Sequence, residues 1–181
     1  VVSLFGSVSP RTAGFNTVDM AGLSTPFIFM TMMLMWVGAS PASTGGGIKT
    51  STFAVAILNI YHSLTGREKI HVAYREIEQQ SVNRAFAIIS LSLLIIGAAI
   101  MVLSLLEPSM DFLALSFEVF SAYSTVGLSL GVTTSFSDAG KIILIAVMFI
   151  GRVGIFSILS GLLAHREPPA YDFPEDSILI N

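Results

Sequence analysis

Cysteine is absent from this 181-residue chain and charge is scarce, with Asp, Glu, Lys and Arg making up 12% of the residues. Without cysteine there are no disulfides, no thiolate zinc sites and no cysteine nucleophile. A soluble domain carries roughly twice that share of charge, so a compact soluble enzyme is not the expected class, and no catalytic residue is assigned. The formal net charge of -3 gives no basic face for nucleic acid. Histidine is sparse too: His62, His71 and His165 fall in polar segments, where solvated positions are expected. What remains is apolar. Hydrophobic residues make up 53% of the chain and mean hydropathy is +0.79. The stretches Met20 to Ile48 and Ala85 to Leu106 hold no charged residue, and each is as long as the roughly 20 residues that cross a bilayer core. The expected fold class is all-α integral membrane, in contact with lipid.

The chain begins at Val1 with no basic segment and cleavage site before its first apolar run, so no signal peptide is expected and the chain reads as a piece of something longer. Gly6, Pro10 and Gly14 limit the start to a helical stub and an irregular loop. Thr25-Pro26 then opens the first spanning candidate, which runs to Val37; proline suits a first helical turn. Residues 39 to 48 are too rich in Gly, Ser and Pro to stay helical, and helix resumes near Ser51 and runs to Leu64. If the two pieces form one crossing, the break lies at membrane depth, where irregular backbone persists only buried in protein or lining a watery cavity. The segment 62–84 carries Arg67, Lys69, Arg75 and Arg84 among Glu68, Glu76 and Glu78. It reads as a polar connection with some helix, on the cytoplasmic side. Ala85 to Leu106 would cross outward to Glu107-Pro108, and Asp111 would cap a helix from Phe112 to Ala122 that is too short to span. A last helix is expected from near Asp138 to about Ala164, returning to a cytoplasmic end at His165 and Arg166. The tail, 168–181, is polar and then apolar at Ile178 to Ile180, which fits either docking or fraying.

Two segments share one pattern: Thr12-Ala13-Gly14-Phe15-Asn16 and Thr125-Val126-Gly127-Leu128-Ser129, with the glycines 113 positions apart. Each precedes a long apolar helix, and the second follows the short one. A potassium ion sheds water only where oxygens at similar spacing replace its shell, and loop carbonyls do this without side-chain charge. Glycine permits the backbone angles that turn successive carbonyls inward, and the C-terminal end of a short helix favours a cation. The pair therefore reads as ion-coordinating loops, with plain turns as the alternative.

Ser43-Thr44-Gly45-Gly46-Gly47-Ile48-Lys49-Thr50 superficially resembles a phosphate loop, but Ile48 stands where that motif needs glycine and no strand precedes it. A flexible intramembrane gate, Ser43 to Gly47, is the preferred reading; a kink that only relieves packing is the other. Arg152 lies mid-helix, the only charge between Lys141 and His165. Arginine at the bilayer centre costs about 2.5–3.5 kcal/mol on insertion scales, so it should face a pore or partner. It would bond the carbonyls of residues 42–47, for structure alone or also to hold the gate. Glu118 is expected to hydrogen-bond the backbone supporting the loop rather than an ion, and Asp19, Asp111 and Asp138 to cap helices. Met30, Met32, Met33 and Met35 read as packing or lipid-facing residues, with no transition-metal site implied.

Four motifs in order, Ser9-Pro-Arg-Thr-Ala-Gly-Phe-Asn-Thr17, Thr44-Gly-Gly-Gly-Ile-Lys-Thr50, Phe117 to Ala122 with Thr125-Val-Gly127, and Gly151-Arg-Val-Gly154, resemble the Trk/Ktr/HKT superfamily of cation transporters, most like its Ktr-type (KtrB-like) membrane subunit. The resemblance implies a single-pore potassium transporter of four pseudo-repeats, each an outer helix, a re-entrant pore helix with filter loop, and an inner helix. This chain would be its second half. Residues 1–64 would end the third repeat, 65–84 connect, 85–167 form the fourth, and 168–181 be a cytoplasmic tail. Thr12, Ala13, Gly14 and Phe15 would be the third filter segment and Thr125, Val126, Gly127 and Leu128 the fourth, with potassium at both. Some sodium-selective relatives carry serine for glycine in the first filter, which lies outside this sequence. A sodium-permeable or Trk-type relative, or a scaffold with structural loops, are the alternatives. The resemblance further implies a homodimer in the cell membrane, no tightly bound cofactor, and a cytoplasmic RCK-type regulatory subunit that binds the nucleotide.

Overall fold

A computed structural model describes residues 2–16, 20–41, 43, 45–66, 71–72 and 75–154. Asp19, Ala42, Thr44, His165 and the tail lie outside these, so the expectations placed on them go unaddressed.

The helices are α1 (Val2–Val8), α2 (Thr25–Trp36), α3 (Thr50–Leu64), α4 (Gln79–Leu106), α5 (Phe112–Tyr123) and α6 (Asp138–Val153). The polar connection 62–84 holds some helix, as expected, at the end of α3 and the start of α4; between them His71–Val72 (β1) and Arg75–Glu76 (β2) pair antiparallel. Helix starts follow local chemistry. Pro26 sits in the first turn of α2, and the Asp111 carboxylate accepts from Ala114 N at 3.1 Å to start α5. At α6 the cap is Ser137, whose Oγ accepts from Gly140 N at 3.2 Å. Asp138, expected to cap, is the first helical residue, where its charge still favours the helix N-terminus. Described helix α6 ends at Val153, where Gly154 takes φ 82, outside helical space; the rest of the stretch expected to be helical, 155–164, lies outside the described residues.

Among the described residues only α4 is long and apolar enough to cross a membrane by itself. The first spanning candidate is corrected accordingly, since α2 has 12 residues, about 18 Å at 1.5 Å per residue. The chain beyond it explains the shortfall. Val37 and Ile48 form a parallel bridge, with Gly38 N donating to Ile48 O at 2.8 Å and Ile48 N to Trp36 O at 3.1 Å. A parallel bridge means that the chain runs in the same direction at Val37 and at Ile48, which is what a single crossing broken between α2 and α3 requires. Together, 12 and 15 residues reach about 40 Å, enough for a core of roughly 30 Å.

Helix α5 is the centre of the fold. Every residue from Ala114 to Tyr123 is buried; α5 packs against α2, α4 and α6, and α3 packs against α4. Phe117, Val119, Leu103, Met35 and Leu128 are almost wholly enclosed. The outer face is the reverse: Leu93, Leu94, Met101 and Leu105 of α4 are exposed. A row of exposed leucine and methionine on a helix that carries no charge from Ala85 to Leu106 is unfavourable in water and at home in lipid. Met32 and Met35 pack inside while Met30 and Met33 face outward. His62 is buried rather than solvated, with Nδ1 2.9 Å from Leu58 O.

Candidate functional site

The two repeated loops share a backbone conformation that the sequence pattern alone does not dictate. Thr12 (φ 63) and Thr125 (φ 51) are, among the described residues, the only non-glycine residues in the left-handed region. Each is followed two positions on by a glycine of positive φ, Gly14 (70) and Gly127 (89). A β-branched residue is a rare occupant of this region, and such strain costs about 1–3 kcal/mol. At Thr125 the conformation ends α5: Thr125 N bonds Ala122 O and Val126 N bonds Ser121 O, both at 3.0 Å, a Schellman closure. At Thr12, Ser9 O accepts from Ala13 N at 3.2 Å and Gly14 N at 3.1 Å, and Ser9 Oγ donates to Phe15 O.

The fold brings the loops together. A Cβ on Gly14 would overlap Val126 O and lie 3.2 Å from its carbonyl carbon, so only glycine allows the approach. Both threonines then meet the glycine break. A Cβ on Gly45 would sit 2.9 Å from Thr12 Oγ1; one on Gly46 would overlap Thr125 Oγ1 and lie 2.7 Å from Ser124 O. Thr12 Oγ1, Ser124 Oγ and Thr125 Oγ1 are buried and make no hydrogen bond among the described residues. An unmet buried hydroxyl costs about 1–3 kcal/mol, so three near one glycine segment point to a site with a task.

The expected roles around this segment are redistributed. Lys49 Nζ donates to Ser43 O at 3.0 Å and also to Gly45 O. The sequence places Lys49 in a failed phosphate-loop match and in the motif Thr44 to Thr50 without giving it a role; its position after the glycine run is the signal that was available. Arg152 is brought to the same place without such bonds: it is exposed, and no described carbonyl of the segment accepts from it. With Gly45, Gly47, Lys49, Thr52 and Gly154 it walls a cavity of about 240 Å³. Two cations thus border one space beside the glycine segment.

Glu118, in α5, is buried. It supports the second loop through side chains rather than the expected backbone, accepting from Ser129 Oγ and, at 3.0 Å, from Thr133 Oγ1. Trp36 Nε1 donates to Ser92 Oγ at 3.1 Å, which ties the end of α2 to α4. Beyond the apolar run, Glu107 Oε1 accepts from Ser137 N at 2.8 Å. The Ser137 hydrogen bonds hold its carboxyl below the ordinary value of 4.5.

The sequence and fold have known counterparts. The chain is 38% identical over 180 residues to the Ktr system potassium uptake protein D of Bacillus subtilis, covering 99% of this chain and 40% of that protein. It is 40% identical to the Ktr system potassium uptake protein B of Vibrio alginolyticus (99% and 39%) and 37% identical to the potassium/sodium uptake protein NtpJ of Enterococcus hirae (98% and 41%). The chain therefore spans about two fifths of the length of these curated relatives. Its fold is similar to the crystal structure of the potassium transporter TrkH from Vibrio parahaemolyticus, with TM-score 0.75 at 25% identity, over 90% of this chain and 36% of that one. Residues 1–166 match the family model TrkH, described as a cation transport protein. The chain belongs to the TrkH family of cation transport proteins, and membership of a transporter family places it in a membrane.

Proposed function

We propose that the full-length protein takes up potassium through one gated pore in the cell membrane, and that this chain supplies the third and fourth of four pseudo-repeats. One observation carries the reading: two threonines 113 positions apart share a strained backbone and direct buried, unbonded hydroxyls at the same glycine segment. Scaffold loops need no such matched strain. In the pore, carbonyls of Thr12, Ala13, Gly14 and Phe15 and of Thr125, Val126, Gly127 and Leu128 replace the water of the ion, with two further loops from the rest of the protein. Helix α5 serves as the re-entrant pore helix, its C-terminal dipole end turned to the cation.

The segment Ser43 to Gly47, including Thr44, acts as the gate. Closed, it lies against both threonines and is tethered by Lys49. Charge-assisted bonds contribute about 1.5–3 kcal/mol each, so releasing two sets an opening cost that a regulator can offset. Arg152, across the adjoining cavity, adds a positive charge that repels cations from the closed path. The repeat boundaries are 1–64 and 85–167, joined by a cytoplasmic connection at 65–84 and followed by a cytoplasmic tail at 168–181. The assembly is a homodimer with an RCK-type regulatory subunit that binds the nucleotide; the "system" in the relatives' names favours a multi-component transporter.

A second reading, that sodium also permeates, is favoured by the relative named as a potassium/sodium uptake protein. Potassium and sodium fluxes into vesicles holding the full-length protein test both. Potassium-selective flux that Gly127→Ser abolishes or opens to sodium is the expected result. Equal wild-type fluxes of the two ions select the second reading, and identical selectivity in wild type and variant sinks the filter assignment.

A further inference from the structure

The glycines of the described α-helices differ in what a side chain would meet. At Gly6 of α1 and Gly97 of α4 a Cβ would meet nothing within 4 Å. At Gly140 of α6 it would meet side chains, Phe136 at 3.0 Å and Glu107 at 3.1 Å. At Gly151, also in α6, it would overlap the backbone oxygen of Tyr123 and lie 2.7 Å from the carbonyl carbon and 3.1 Å from Cα. No rotamer change relieves a clash with backbone. Glycine weakens a helix interior, so its place here is explained by the close approach that it allows. The Tyr123 carbonyl is the last of α5, beyond the helix's own bonding. The turn after it is closed by Thr125 N on Ala122 O and Val126 N on Ser121 O, so a shift of Tyr123 is carried into residues 125–128.

We propose that Gly151 is a positioning residue for ion selectivity: it seats α6 on the end of α5, and that seat sets how closely the oxygens of Thr125 to Leu128 stand to the ion. The inference rests on the filter reading given above. Gly151 touches no ion; it acts through Tyr123. Potassium and sodium differ in the oxygen cage that replaces their water, so discrimination between them depends on where the loop is held. Lifting α6 off its seat changes that spacing without removing an oxygen.

Variants of the full-length transporter in vesicles test this through the potassium-to-sodium flux ratio. Gly151→Ala is expected to lower the ratio about tenfold, on the scale of overpacking by one methyl group, while potassium flux persists. Gly140, Leu144, Val147 and Gly151 form the buried stripe of α6, so the same kind of strain can be applied at graded distances. Val147→Ile, one turn from Gly151, should lower the ratio by a smaller factor. Gly140→Ala, about 16 Å away along the helix, should lower thermal stability and keep the wild-type ratio. Should Gly151→Ala not fold, Val147→Ile carries the test. A wild-type ratio in folded Gly151→Ala, or in Val147→Ile where it stands alone, overturns the proposal, and so does an equal fall in Gly140→Ala, the mark of general loosening. Equal wild-type fluxes of the two ions overturn this inference alone. Wild-type protein without potassium flux overturns the filter reading, and this one with it.

Discussion

Gly14→Ala and Gly127→Ala separate a packing requirement from a conformational one. Both glycines have positive φ, 70 and 89, so alanine at either costs about 1–2 kcal/mol in backbone energy. At Gly127 that is the whole cost, because an added Cβ meets nothing within 4 Å. At Gly14 the Cβ overlaps the carbonyl oxygen of Val126. That oxygen belongs to the opposite loop, and relief requires the loops to part. Overpacking of this kind costs about 1–3 kcal/mol, which brings Gly14→Ala to about 2–5 kcal/mol. Denaturant unfolding of the full-length protein in detergent should therefore show Gly14→Ala as the less stable variant by about 1–3 kcal/mol. Equal losses, or a larger loss at Gly127, would refute the close approach of the loops.

Three further predictions concern the gate and the outer end. Lys49→Met frees the carbonyl oxygens of Ser43 and Gly45 and should raise resting potassium leak several-fold in the vesicle assay; unchanged leak in a stable protein counts against the tether. Arg152→Ala removes the second charge bordering the cavity and should also raise leak, but less than Lys49→Met, because Arg152 holds no described carbonyl of the segment. Glu107 supplies a pH dependence. Its folded pKa is depressed by Ser137, so its contribution is present above the ordinary value of 4.5 and is lost as pH falls through the lower folded value. The protection of the Ser137 amide against hydrogen exchange, measured relative to its intrinsic rate at each pH, should fall as pH drops below 4.5, and Glu107→Gln should remove that pH dependence.

Local chemistry was legible in the sequence, and tertiary proximity was not. Pro26, Asp111 and the glycine run marked a helix start, a cap and a break because each acts within a few residues of itself. Ser137 displaced Asp138 as the cap for an equally local reason, since a serine one residue earlier already reaches Gly140 N. Gly154 interrupts α6 inside an apolar stretch, because a backbone angle acts independently of hydropathy. The repeated Thr-x-Gly pattern could be read, but its left-handed threonines could not, since that strain persists only when surrounding structure imposes it. Likewise nothing along the chain reveals that Gly46 meets Thr125 or that Lys49 turns back onto Gly45. Those contacts depend on how α2 and α4 pack on α5 and how α3 packs on α4.

The most direct test of the central claim is to locate the ion. Crystals of the full-length protein soaked in rubidium or thallium should show anomalous density between the backbone oxygens of residues 12–15 and those of residues 125–128. Density elsewhere along the path, with none between these loops, would contradict their assignment as the filter.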